Sequence, residues 1–84
     1  MYTLRLERHA SKALKKLPEP TKSRIVRALD EMEKDPFDGD IKALSGKWKG
    51  YFRKRVGAYR ILYTVDTEVR VVSVDSISHR KNAY

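Results

Sequence analysis

Phe52-Arg53-Lys54-Arg55-Val56-Gly57-Ala58-Tyr59-Arg60-Ile61-Leu62-Tyr63 is the stretch that settles the architecture. The residues flanking Gly57-Ala58 alternate in character, and the glycine supplies the positive φ that a two-residue hairpin turn needs. The stretch therefore reads as two antiparallel strands, 51–56 and 59–66. In the first, Arg53 and Arg55 are two residues apart and project to one face, while Phe52 and Val56 project to the other. In the second, Arg60 alternates against Tyr59, Ile61 and Tyr63. A two-residue turn brings the strands into register, so Arg60 lands close to Arg55. Lys54 breaks the alternation. Either its stem lies along apolar surface with the amine in water, or the strand is twisted there.

Working outward, Asp66-Thr67 makes the next turn, and Val69, Val71, Val72 and Val74 fall in a strand ending near Ser78. Its β-branched residues lie on both faces, as expected of a well-covered strand. Upstream, residues 36–50 carry Pro36, Gly39, Gly46 and Gly50 among several Asp and Lys, the composition of a loop. Ile25, Leu29 and Met32, with Val26 alongside, form the apolar stripe of a helix that Pro20 opens and Asp35-Pro36 ends. Ala10, Ala13, Leu14 and Leu17 repeat at i, i+3, i+4 and i+7, a second stripe stopped by Pro18. Tyr2, Leu4 and Leu6 alternate with Thr3, Arg5 and Glu7, predicting a strand at 2–7. The order is β-α-α-β-β-β. It predicts one α+β domain over residues 1–84, an antiparallel sheet with a helical hairpin packed on one face and the other face free to work.

The chain has 84 residues, with 19 Lys and Arg against 11 Asp and Glu, a net charge of +8. Net charge of this sign concerns partners and favours polyanions. Its distribution is uneven: residues 1–44 hold 10 basic and 8 acidic side chains, residues 45–84 hold 9 and 3. The excess peaks between Lys47 and Arg60, where Lys47, Lys49, Arg53, Lys54, Arg55 and Arg60 occur with no acidic residue among them. That run is an electrostatic footprint. With no cysteine, disulfides, thiolate metal sites and cysteine nucleophiles are excluded, and the cytoplasm is the default compartment. No apolar run approaches the ~20 residues of a membrane span, and the first residues alternate rather than forming a signal sequence. The size leaves no room for a deep cofactor pocket, so no cofactor is expected.

Arginines arrayed on one sheet face suit single-stranded nucleic acid, because guanidinium forks bind phosphate and aromatic rings stack on unpaired bases. A solvated surface is the plainer reading of such an array. Tyr51, Tyr59 and Tyr63 read more readily as core than as stacking platforms. Trp48 either anchors its loop or stacks on a base. His9 reads as surface, and His79, beside Arg80 and Lys81, is the better residue for proton transfer. Neither histidine has a metal-ligand spacing, and no acidic pair stands nearby. G-x-x-x-x-G-K and G-x-G-x-x-G are both absent, which argues against nucleotide-dependent catalysis. Metal-free phosphodiester chemistry remains: RNA brings its own 2′-OH, and a protein can orient it, neutralise the phosphorane and protonate the leaving 5′-oxygen.

The chain resembles the RelE-type toxins of the RelE/ParE superfamily, in their short archaeal style. Residues 52–63 are similar to the family's YRIRVGDYRILY core, and Ile77-Ser78-His79-Arg80-Lys81-Asn82-Ala83-Tyr84 to its IGHRKDVY ending. Lys15-Lys16-Leu17-Pro18 and Lys42-Ala43-Leu44-Ser45-Gly46 add weaker likeness. The resemblance implies a toxin of a type II toxin–antitoxin system, an mRNA endoribonuclease acting on A-site codons in the ribosome. It also implies a RelB-type antitoxin partner in a heterotetrameric complex. By motif position, Arg53 and Arg55 match the basic pair of the second strand, and Arg60 the arginine at the scissile phosphate. Arg80 matches the C-terminal arginine that serves the leaving group, and Tyr84 the tyrosine that stacks on or orients substrate. Lys47, Lys49, Lys54 and Lys81 are then expected to contact the RNA backbone. One departure is chemical: where relatives carry lysine, arginine stays protonated and is a poor general base. That leaves Tyr84, His79 or ionisation of the 2′-OH in a strongly positive site. Two alternatives stand beside this reading, a ParE-like inhibitor of DNA gyrase and a non-catalytic RNA- or ribosome-binding relative.

Overall fold

The computed structural model describes residues 1–82. The chain starts at one edge of a five-stranded sheet and crosses a helix layer. It re-enters at the opposite edge and meanders back, giving the strand order β1-β5-β4-β3-β2. The elements are β1 (Thr3–Leu6), α1 (Arg8–Lys16), α2 (Thr21–Lys34), β2 (Ile41–Ala43), β3 (Phe52–Val56), β4 (Tyr59–Asp66) and β5 (Val71–His79). Single 3-10 turns lie at Gly46–Trp48 and Arg80–Asn82. Both helices form where the apolar stripes predict them, and Pro20 stands just before α2.

Three details depart from the sequence reading. Residues 36–50 are not wholly loop, since Ile41–Ala43 pairs with β3 as an edge strand. Its three residues are too few for a periodic signal. The sheet is mixed rather than antiparallel throughout: β1 runs parallel to β5, with Thr3 opposite Val71 and Leu6 opposite Val74. The added strand β2 is what turns the meander so that β5 returns alongside β1 in the same direction. Val69 lies outside the last strand and is 67% exposed, because residues between Asp66 and Val71 form the turn, where the Asp66 carboxylate accepts the N–H groups of Glu68 and Val69.

The core lies between helices and sheet. Ala10 of α1 and Ile25, Ala28, Leu29 and Met32 of α2 pack on Ile61 and Tyr63 of β4 and on Val72, Val74 and Ile77 of β5. Each fully buried aliphatic side chain contributes about 1.5–3 kcal/mol, so this face fixes the parity of every strand. Val74 and Ile77 are three residues apart and cannot share a face of a regular strand. The register resolves the conflict. Leu62 pairs with Ser76 and Tyr63 with Val74, which leaves Asp75 as the extra residue of a β-bulge. Tyr63 also secures the connection from α2 to β2, its hydroxyl donating to the Pro36 carbonyl at 2.6 Å. Burial pushes the Tyr63 hydroxyl well above the ordinary tyrosine pKa. Tyr63→Phe strands that buried carbonyl, and urea unfolding should show a loss of about 1–3 kcal/mol.

Candidate anion-binding cleft on the open sheet face

The hairpin forms as the sequence predicts. Val56 pairs with Tyr59 around Gly57-Ala58, Gly57 has φ 59°, and Arg55 stands directly opposite Arg60. Because Ile61 and Tyr63 are committed to the core, Arg60 and Leu62 must face the open side, together with Arg53 and Arg55 of β3. Like charges directly opposite each other repel, and no acidic side chain intervenes: among the described residues the side chains of Arg55, Arg60 and Arg80 have no ion-pair partner.

Arg80 joins them through its backbone. Its N–H donates to the Ala58 carbonyl at 2.8 Å, which ties the chain beyond β5 to the hairpin turn. The result is a cleft of about 140 Å³ lined by Arg55, Gly57, Ala58, Tyr59, Arg60 and Arg80. Small-molecule pockets run to roughly 300–1,000 Å³, so this one suits a phosphate group rather than a whole nucleotide. At its wall, Arg60 Nε is buried and has no hydrogen-bond partner, alone in this respect among the side chains of the described residues. An unsatisfied buried donor costs about 1–3 kcal/mol. An anion in the cleft removes the arginine repulsion.

Arg53 sits apart from the cleft. It faces Leu62 across the strands, and only 12% of its side chain is exposed. Leu62, although on the open face, is 2% exposed, so the two side chains shield one another. Arg53 Nη1 reaches Asp40 Oδ1 at 3.5 Å.

The remaining predicted residues divide by face. Lys54 does not share the arginines' face. It pairs with Ile61 on the helix side, is 6% exposed, and places Nζ 3.6 Å from Glu31 Oε1 of α2. Its amine thus meets a carboxylate instead of open water. His79 is likewise on the helix side. It stands opposite Tyr59 with the rings edge to face at 5.2 Å, and its Nδ1 accepts the Lys81 N–H. Lys47 and Lys49 are exposed in the β2–β3 loop, at the end of β3 away from the cleft, with Lys47 Nζ 5.9 Å from the Trp48 ring centre. Lys81 is exposed next to Arg80. Tyr84 lies outside the described residues. The tyrosines also part company: Tyr63 is core and Tyr59 packs against it, but Tyr51 lines a groove on the open side. Among the described residues no three His, Cys, Asp or Glu side chains come together as a metal-binding group, and no helix is long and apolar enough to cross a membrane.

Inorganic phosphate or sulfate should raise the thermal midpoint of this protein, by about 2.7 kcal/mol of stability at a hundredfold excess over Kd. Differential scanning fluorimetry should show the effect largely lost in Arg60→Ala and kept in Lys54→Met, because only the first residue faces the cleft.

The site sits in a chain with clear relatives. Residues 4–84 match the family described as ParE toxin of type II toxin–antitoxin system, parDE. Toxin RelG of Mycobacterium tuberculosis is 32% identical over 84 residues, covering 99% of this chain and 95% of that protein. The RelBE2 toxin–antitoxin complex of M. tuberculosis contains a chain of 31% identity and TM-score 0.84, with 94% of this chain and 98% of that one covered. A chain of the archaeal RelE–RelB complex from Pyrococcus horikoshii is 27% identical at TM-score 0.81, with 98% of each chain covered. Sequence, fold and relatives agree that this chain belongs to the ParE toxin family of type II toxin–antitoxin systems and is a RelE-type member of the RelE/ParE superfamily.

Proposed function

We propose that the protein is a metal-independent endoribonuclease that cuts mRNA in the ribosomal A site and thereby halts translation in the cytoplasm. The observation that carries this reading is the cleft of unpaired Arg55, Arg60 and Arg80, with Arg60 Nε buried and unsatisfied. In the proposed step the 2′-oxygen attacks the adjacent phosphorus, the P–O5′ bond breaks, and a 2′,3′-cyclic phosphate and a 5′-hydroxyl result. The 2′-OH loses its proton as the bond forms, and the 5′-oxygen gains one as it leaves. Arg55 and Arg60 stabilise the dianionic phosphorane, which is worth most where water is excluded. Arg80, held to the turn by its own N–H, serves the leaving-group side. Arginines remain protonated and supply charge rather than a base. His79 faces the helix layer, which leaves Tyr84 or ionisation of the 2′-OH within the positive cleft.

An arginine cleft sized for one phosphate group fits an enzyme that relies on another particle to present its substrate, here the ribosome. The antitoxin complexes of its structural neighbours support a RelB-type partner for this chain, and a heterotetrameric assembly is part of the proposal. Arg60→Ala and Arg80→Ala should each cost about 2–4 kcal/mol of transition-state stabilisation. Primer extension in a reconstituted translation reaction containing EDTA measures this, and a loss below tenfold would contradict the roles. The family match is to a ParE toxin, which keeps open the second reading, a ParE-like inhibitor of DNA gyrase. A supercoiling assay separates the two: inhibition of gyrase with intact mRNA would replace the ribonuclease reading.

A further inference from the structure

Beyond the cleft, the open face carries a second concavity of about 550 Å³, within the range of small-ligand sites. Tyr51, Thr64, Ser73 and Asp75 form its floor and wall, and the start of α1, from Glu7 to His9, closes one end. It lies four residues along β4 from Arg60, roughly 13 Å at strand rise, with Arg53 and Leu62 between. The chemistry of its floor differs from the cleft's: an aromatic ring, two hydroxyls and the Asp75 carboxylate replace the arginines there, while Glu7, Arg8 and His9 line the end. Phosphate is disfavoured beside Asp75, whereas the flat polar edge of a base is suited to it. Tyr51 is braced by Trp48, the rings edge to face at 5.3 Å. Asp75 is the extra residue of the β-bulge, where the two residues Asp75 and Ser76 stand against Leu62. Bulges re-aim side chains beside functional sites. Among the described residues the Asp75 carboxylate has no hydrogen-bond or ion-pair partner, so its acceptors are available.

We infer that this groove is a base-binding subsite selective for guanine, which fixes where along the RNA the scissile phosphate falls. The inference rests on the RNA-cleaving reading above. An ionised carboxylate offers two acceptors and no donor. Guanine alone among the four bases presents two adjacent donors, N1–H and N2–H, on its Watson–Crick edge; adenine and cytosine set an acceptor beside their amino group, and uracil has a single donor. A bidentate pair of this kind discriminates by roughly tenfold or more, and Tyr51 supplies ring contact to any base. Arg8 at the far rim leaves a cation for a flanking phosphate.

The test has two arms. In the first, the four nucleoside 5′-monophosphates are titrated into the full chain and followed by backbone amide NMR. All four should shift residues around Arg55 and Arg60, but GMP alone should shift Thr64, Ser73 and Asp75 strongly. In the second, cut sites are mapped for the wild type and for Asp75→Asn. An asparagine accepts from N6–H and donates to N1 of adenine, so guanine preference at one fixed position should fall by about tenfold and adenine should gain. Equal groove shifts for all four nucleotides, or no groove shifts at all as expected of a groove made for a cationic side chain, would overturn the subsite. So would an Asp75→Asn variant with a native amide spectrum and unchanged base preference. GMP-specific groove shifts in a protein that cuts no RNA would instead refute the ribonuclease reading and leave the subsite standing.

Discussion

Everything on the open face depends on the register of the hairpin around Gly57-Ala58. Side chains alternate with a period of two, so a slip of one residue between β3 and β4 would send Ile61 and Tyr63 into water and the arginines into the core. Burial of those two residues beneath Met32, Ile25 and the valines of β5 makes such a slip cost several times the energy of any single surface contact. The apolar face is thus the anchor, and the arginine cleft is its obligatory reverse side. Gly57 at positive φ lets the turn close in two residues, and the cross-strand pairing of Arg55 with Arg60 follows from that closure rather than from any attraction between them.

The cleft is electrostatically unfavourable in isolation. Among the described residues three arginines share it without an acidic neighbour, and one of their donors is buried unsatisfied. Among the described residues the two carboxylates that do form ion pairs, Asp40 and Glu31, are spent on Arg53 and Lys54. A small domain holds only about 0.05–0.15 kcal/mol of net stability per residue, so a strained cationic site is a noticeable fraction of it. Such an arrangement persists where an anionic ligand relieves it, and an anionic reaction centre draws on the same unmet interaction.

Lys54 and His79 show how the third dimension reassigns residues that sequence groups together. In the chain both sit inside basic runs, among arginines that face the open side. In the fold their parity matches Ile61 and Tyr59, which places Lys54 against Glu31 and the His79 ring against Tyr59. Strand parity outranks charge here, because the helix layer covers one face and no lysine can reach around it.

The alternation of residues 52–63, the stripes of the two helices and the prolines between them were sufficient to read the α+β order, the hairpin and the closeness of Arg55 to Arg60. These are local matters, fixed by period and turn chemistry within a dozen residues. Three features were beyond that reach. The edge strand Ile41–Ala43 exists only because β3 offers it hydrogen bonds. The bulge at Asp75 arises because Val74 and Ile77 must both enter a core whose other half comes from α1 and α2; their odd spacing was the one visible hint. The meeting of Tyr51 with Asp75 requires three neighbouring strands to be laid side by side. Sequence by itself determined which residues carry the charge and the turn; only the packing of helices on one face decided which of them share a surface, because that burial alone sets the parity of every strand.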